Sequence, residues 1–456
     1  MSADDLPPGP RLPSAAQAYL WAYRFREFTE AAHRRYGQTF AARIGGLPQS
    51  VVTIDRDVIR RLLTGDPTTK RHANDLLREA LGDRSLLLLE PTEHLARRKL
   101  LTPPFHGERV RAYARLMEQL AAAELDTWTP GSEQTVVKVA QRLTLDVILD
   151  AVLGISDDGV RDRLRALFDA MLGVPASELV FYYPAFQQRR RWNTLAEIYW
   201  RKRDVLDAML DDQIRATRAD PRLEQREDIL AMMIQARDES GAALTDTDLR
   251  HELNTLIAAG HETTATAIAW GAELLAHNRA VQDRARDRAR EAANEGDQKY
   301  LDALVKEILR IRAPVSVGAA RHPLEPFEIG RHTITSETVV VVNAWGVHLD
   351  PAVYPEPDTF KPERFLEPTP DYSFMPFGGG AHRCLGAALA QLEIRVVVGA
   401  ILERFELLPM QPELARGVRR GIMLTPKGGG RVRIAAAPAP RRAGAPAPAS
   451  AAAARA

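Results

Sequence analysis

The sequence predicts a mainly α-helical protein with a small β region, folded as one large domain. Three observations carry that expectation. From about residue 91 to 275 nearly every segment has helical apolar spacing, with breaks at Pro103-Pro104, Gly131 and Gly241. Strand-like segments occur only near the two ends of the chain. No linker or internal repeat divides the 456 residues before the last twenty or so.

Composition narrows the function classes. Hydrophobic residues make up 45% and charged residues 27%, a normal globular mix. Lys and Arg number 61 and Asp and Glu 60, a net charge of +1, so bulk charge does not drive nucleic-acid binding. The single cysteine, Cys384, excludes an intramolecular disulfide and any Cys-rich zinc or iron–sulfur site. Residues 1–13 lack the basic and apolar regions of a secretory signal, and no run of 18 apolar residues occurs. The expectation is a soluble, cytoplasmic protein.

Taken in order, residues 1–14 carry Pro7, Pro8, Gly9 and Pro10 and read as an extended segment. Residues 17–35 read as a helix. Residues 39–44 and 50–54 flank Gly45-Gly46 as a β-hairpin, and 55–63 are helical again. A long apolar helix is expected over about 246–275, with Thr245 and Asp248 as a capping box. A second β region follows Pro314, with strands at 326–330 and 339–343, and the last strands fall near 422–425 and 432–434. The folded domain spans 15–434. Residues 435–456 are Ala, Pro and Arg apart from Gly444 and Ser450, a composition that cannot bury a core and reads as disordered.

Cys384 lies in Phe377-Gly378-Gly379-Gly380-Ala381-His382-Arg383-Cys384-Leu385-Gly386, followed at 387–402 by the period of a buried helix. A glycine-rich loop thus delivers one sulfur to a helix start, where the dipole and free N–H groups favour a thiolate. Three glycines permit positive φ and close approach of a flat ligand. On these residues alone the sulfur serves as a nucleophile, as a metal ligand, or simply as a small buried hydrophobe. No histidine other than His382 marks itself out as a partner base.

The ten-residue pattern resembles the heme-binding loop of the cytochrome P450 family, F-x-x-G-x-x-x-C-x-G. Three further family landmarks follow the right order: Ala259-Gly260-His261-Glu262-Thr263-Thr264, Glu307-Ile308-Leu309-Arg310, and His94-Leu95-Ala96-Arg97-Arg98. The resemblance covers about residues 7–434. It implies a single-domain helical prism with heme between the long central helix and the Cys-loop helix. It implies Cys384 as the iron ligand. Ala259, Gly260, Phe377, Gly378 and Gly386 would lie against the cofactor. His94, Arg98, Arg321 and His382 would donate to the propionates. Glu262 and Thr263 become the acid–alcohol pair that handles protons for O2 activation. Gly260 and Thr263 are also expected to disturb the helical ladder there. Glu307, Arg310 and Arg364 become a buried structural network. Two departures stand out: residues 282–300 form a shorter stretch than usual, and Ala313-Pro314 replaces a Pro-Pro pair.

The function so implied is an O2-dependent heme-thiolate monooxygenase. Electrons would come from a separate ferredoxin and ferredoxin reductase or a flavodoxin-type donor, since no nicotinamide or flavin fold is recognisable in the chain. Arg97, Lys99, Arg109, Arg111, Arg115 and Arg383 are candidates for a basic docking face, with ordinary solvated charge as the alternative. Leu87, Leu89, Ala258, Val315, Val317, Ile422 and Met423 are candidates to line the substrate pocket. Their small, apolar character points to a lipophilic substrate of fatty-acid, terpene, steroid or polyketide type. A peroxide-using or isomerising heme-thiolate enzyme and a non-catalytic heme binder are the competing classes. No nucleic-acid partner is expected, and the chain is expected to be a monomer.

Overall fold

The computed structural model describes residues 6–44, 49–105, 107–172, 194–291, 295–420 and 422–438. Residues 1–5 of the expected extended segment and 439–456 of the expected tail lie outside the described residues. Within the segment, Leu6 is buried and the Pro8 carbonyl accepts the Ala41 N–H, so the chain enters along the first strand.

The elements run α1 (Ser14–Tyr23), α2 (Phe25–Tyr36), β1 (Thr39–Ala42), β2 (Ser50–Thr53), α3 (Arg56–Leu63), β3 (Lys70–His72), α4 (Arg78–Leu81), α5 (Pro91–Leu101), α6 (Glu108–Leu125), β4 (Glu133–Thr135), α7 (Val136–Val147), α8 (Asp158–Leu172), α9 (Thr194–Arg218), α10 (Ile229–Gln235) and α11 (Asp246–His277). There follow α12 (Arg279–Arg290), α13 (Glu295–Ile311), β5 (Val317–Pro323), β6 (Phe327–Ile329), β7 (His332–Ile334), β8 (Val339–Asn343), α14 (Ala344–His348), α15 (Ala387–Arg404), β9 (Phe405–Pro409), β10 (Gly417–Arg420), β11 (Met423–Pro426) and β12 (Arg431–Ala436).

The expected helix over 17–35 is two helices. Arg419 donates to the carbonyls of Trp21 and Ala22, acceptors that a continuous helix would have used itself, and the chain turns at Arg24. The tail boundary also moves. β12 continues through Ala436, paired with Phe405, so residues 435 and 436 are strand rather than tail. Several strands were not readable from pattern. β3 is Lys-Arg-His and β5 begins Val-Gly-Ala-Ala, neither of which alternates, yet both join the main sheet. That sheet has the order β1-β2-β8-β5-β3, with β2 and β8 parallel and the other pairs antiparallel. A three-stranded sheet, β4-β12-β9, and the hairpins β6-β7 and β10-β11 complete the β structure.

α11 organises the helical part. It runs 32 residues, roughly 48 Å at 1.5 Å per residue. Thr245 and Asp248 form the expected reciprocal capping box. Leu249, Leu253 and Ile257 belong to one apolar cluster with α6–α8 and α10, whereas Ala265, Ile268 and Trp270 belong to another with α7, α12, α13 and α15. Between the two lies the polar stretch 258–264. Among the described residues no helix is long and apolar enough to cross a membrane.

Removing the cap isolates its contribution. Thr245→Ala removes the hydroxyl that accepts the Asp248 N–H and donates to its carboxylate, while the backbone N–H and Arg97 still reach that carboxylate, and is expected to cost about 1 kcal/mol, read as a lowered urea midpoint at unchanged slope.

Candidate functional site

The long central helix α11, mostly buried, opens at its middle. Ala258 and Ala259 are exposed and Gly260 and Thr263 half-exposed, with buried residues on both sides. Leu385 and Leu389, flanking the start of α15, pack with α11 residues in one apolar cluster. Cys384 is itself exposed. Exposed positions at the middle of α11 and on the Cys384 loop, whose following helix packs against the same cluster as α11, mark a cleft between them.

The helix is unbroken through this opening, contrary to the expected disturbance. Its polar groups are instead absorbed by side contacts. Thr263 Oγ1 donates to the Ala259 carbonyl at 2.5 Å. Thr144 Oγ1 donates to the His261 carbonyl at 3.1 Å. A Cβ at Gly260 would lie 3.4 Å from Ile148 Cδ1, an ordinary packing contact, so Ile148 does not by itself require a glycine here. Glu262 is buried and accepts from Gln141 Nε2 at 2.5 Å; burial pushes its carboxyl up, and the hydrogen bond and the field of Arg420 oppose that. His261 is buried with both ring nitrogens unpartnered, and burial lowers its pKa to about 4.

The Cys384 loop is pinned by a chain of polar contacts that starts in α13. Glu307 accepts from Arg310 at 2.7 and 2.8 Å and from the Lys361 N–H at 2.9 Å, with Arg364 Nε at 3.4 Å. Arg310 donates onward to the carbonyls of His348 and Pro357 at 2.8 and 2.9 Å. His348 Nε2 accepts the Met375 N–H at 2.8 Å, and the Phe377 carbonyl accepts the Cys384 N–H at 2.9 Å. Gly378 and Gly380 take φ of 65° and 63°, and a Cβ would lie 2.6 Å from the Gly318 carbonyl oxygen and 2.3 Å from that of Leu63. Only glycine closes this loop. The sequence reading brought Glu307, Arg310 and Arg364 together correctly but missed His348, whose pattern offers no signal. Burial lowers its pKa to about 3, so it stays the neutral acceptor that Met375 requires.

The sulfur sits three residues before α15. Burial pushes the thiol up, while the Gly386 N–H, Arg98 and Arg383 pull it down. The net direction is upward, against the expectation that the helix start alone favours a thiolate.

Beside the sulfur lies a cluster of cationic and imidazole groups, and among the described residues no carboxylate acts on His94, His382, Arg98 or Arg321. The rings of His94 and His382 stack at 3.7 Å. Burial lowers His94 to about 4 and His382 to about 2, and Arg321, Arg98 and His72 reinforce both shifts. Arg321 is itself lowered to about 10 by burial, and among the described residues its side chain hydrogen-bonds the neighbouring Ala320 carbonyl. The Nδ1 atoms of His94 and His382 and the Nε2 of His72 are buried without partners. His72, which the sequence reading missed, arrives by register: β3 pairs it with Arg321 on β5.

These features agree with the relatives of the chain. The cytochrome P450 family model matches residues 7–430. A Mycobacterium tuberculosis protein provisionally named cytochrome P450 135B1 is 36% identical over 445 residues, covering 95% of this chain and 92% of the relative. A Mycobacterium bovis protein provisionally named cytochrome P450 138 is 32% identical over 431 residues, 94% of this chain and 96% of its own. Among solved structures, cyanobacterial CYP120A1 with retinoic acid bound has a TM-score of 0.82 at 24% identity, covering 94% of this chain and 100% of that one, a likeness of fold. The chain belongs to the cytochrome P450 family, the heme-thiolate monooxygenases, and its cofactor is iron protoporphyrin IX, heme b.

The residues present fit that group. A dianionic propionate pair is the partner that His94, His382, Arg98 and Arg321 lack among the described residues. A Cβ on Gly386 would meet nothing within 4 Å, so its smallness answers to no protein neighbour and leaves room for a flat ring.

The remaining sequence candidates divide. Ala258 and Ile422 are exposed, and Leu87, Val315, Val317 and Met423 half-buried, whereas Leu89 is buried at 3% with no opening of its own. Arg97 is removed from any docking face. It is buried and pairs with Asp248 at 2.8 Å and Glu252 at 3.2 Å, because α5 turns this residue toward α11. Lys99 and Arg109 are exposed but paired with Glu239 and Glu227.

Two measurements check the network. Glu307→Gln leaves two guanidinium groups short of their carboxylate and is expected to cost about 3–5 kcal/mol in denaturant unfolding. His348 and His261 are neutral in the fold but titrate near 6.5 when unfolded. Below pH 6.5 the unfolded chain binds protons that the fold refuses, so stability falls toward pH 4 by roughly 1.4 kcal/mol per pH unit for each group. His348→Gln, which keeps an acceptor for Met375, is expected to flatten that acid limb.

Proposed function

We propose that this chain is an O2-dependent monooxygenase whose heme iron is held by Cys384 and whose electrons come from a separate ferredoxin and its reductase, or from a flavodoxin-type donor. The observation that carries the reading is the acid-free cluster of His94, His382, Arg98 and Arg321 beside an exposed Cys384. When bound, the heme supplies O2 activation and the oxidation itself.

The chain's own residues do the rest. Cys384 would hold the iron as a thiolate, the form that the Gly386 N–H and the positive fields of Arg98 and Arg383 favour. His94, His382, Arg98 and Arg321 donate to the propionates, and the stacked imidazoles gain the partners that their Nδ1 atoms lack. Phe377, Gly378, Ala259 and Gly260 would lie against the cofactor. Thr263 holds its hydroxyl on the Ala259 carbonyl, at the edge of the cleft, as a proton-passing group. Glu262, one residue earlier, is the acid behind it.

Ala258, Val315, Val317, Leu87, Ile422 and Met423 offer small apolar surface, which favours a lipophilic substrate of fatty-acid, terpene, steroid or polyketide type. The reaction is hydroxylation or epoxidation. The presence of the Glu262–Thr263 pair favours O2 over peroxide as the oxidant. For the redox partner, Arg111 and Arg115, one turn apart on α6, are exposed, and so is Arg383. An acidic carrier suits these charges.

Wild-type protein reduced under carbon monoxide is expected to show the strongly red-shifted absorption of a sulfur-ligated iron, and Cys384→Ser to lose it while still folded. Thr263→Ala is expected to lower the fraction of O2 consumption that yields product, with the balance released as peroxide. Arg111→Glu with Arg115→Glu is expected to slow reduction by ferredoxin at low salt, converging with wild type at high salt, while reduction by dithionite is unchanged.

A further inference from the structure

Two side chains one turn apart on α7 hold the central helix at its most polar point. Gln141 Nε2 donates to Glu262 Oε1 at 2.5 Å, and Thr144 Oγ1 to the His261 carbonyl at 3.1 Å. The Glu262 carboxyl is thereby turned toward α7 and buried, while Ala258 and Ala259 on the same helix are exposed. Little else that is polar reaches it. His261 brings Nε2 to 4.0 Å from Oε1, beyond hydrogen-bond reach, and Phe168 of α8 lies edge-on to that ring at 6.2 Å. The charges of α7 are engaged elsewhere: Lys138 is exposed, Arg142 pairs with Glu124 and Asp146 with Arg165. Arg420 of the β10–β11 hairpin contributes a favourable field and no hydrogen bond. Among the described residues, Gln141 is the side chain that hydrogen-bonds this carboxyl.

An amide has two unlike ends. Its NH2 end stabilises a carboxylate. Its carbonyl end, after rotation about the last side-chain bond, accepts from the protonated acid. We propose that Gln141 is a positioning residue that sets when Glu262 releases its proton, donating to the anion and accepting from the acid. The inference rests on the reading of Glu262 as the acid behind Thr263. The only bond broken and remade is the carboxyl O–H: the proton given up to the reaction is replaced from solvent, so Glu262 ends each cycle as it began.

The test follows the protonated-carboxyl stretch of Glu262 in the holoenzyme by difference infrared spectroscopy against pH, assigned by its loss in Glu262→Gln. Gln141→Leu removes both ends of the amide, and Gln141→Met is a second variant of similar length if the first does not fold. Hydrogen bonds to a charged acceptor are the stronger kind, so losing both ends favours the protonated acid. The midpoint is expected to rise by about one pH unit, with slower proton delivery read as a larger solvent deuterium effect on coupled turnover. A midpoint equal to wild type in a folded variant overturns the proposal. Full coupling of O2 to product in Glu262→Gln overturns the acid reading of Glu262, an outcome separable from the midpoint.

Discussion

A single buried carboxylate fixes where the sulfur can be. Glu307 accepts two bonds from Arg310 and one from a backbone N–H, and Arg364 closes around it. None of these charges would be stable in the interior alone; together they form a rigid unit of known geometry. From Arg310 the constraint passes through the backbone of His348, through its ring to Met375, and through the Phe377 carbonyl to the Cys384 amide. The loop is held at its start and at the cysteine, while two positive-φ glycines let it press against Gly318 and Leu63. The sulfur is therefore positioned by α13 and α14 as well as by the helix that follows it.

The opposite imbalance marks the neighbouring cluster. Where Glu307 is saturated with cationic partners, His94, His382, Arg98 and Arg321 share no carboxylate. Protein interiors do not usually assemble such groups without an anion. α5 serves both arrangements. His94 and Arg98 look toward the cleft, while Arg97 looks away from it and locks α5 to Asp248 and Glu252 of α11. A helix tied this way sets the spacing between the cleft's cationic wall and its helical roof.

α11 itself shows how a helix can carry polar chemistry through a core without breaking. Two apolar clusters grip it on either side of residues 258–264. Within that window one flank is left bare and the other is held by Gln141 and Thr144. Side-chain hydrogen bonds to the helix carbonyls take up what a kink would otherwise release.

The sequence by itself determined the family, the mostly helical architecture, the capped central helix and the identity of the sulfur. Those features depend on local pattern: a rare glycine-rich loop around the only cysteine, helical apolar spacing, and a Thr-to-Asp capping pair. It also brought Glu307, Arg310 and Arg364 together, through the family motif. The tertiary structure alone decided that Arg97 turns inward to a carboxylate pair, that His72 joins His94 and His382 through strand register, and that His348 and Gln141 complete networks whose other members were visible. Strands such as β3 and β5 could not be read because neither alternates; they exist through pairing with distant partners. The thiol's upward shift belongs to the same class. A helix start favours the thiolate locally, but how much solvent reaches the sulfur is set by everything folded around it, and that is not written in ten residues.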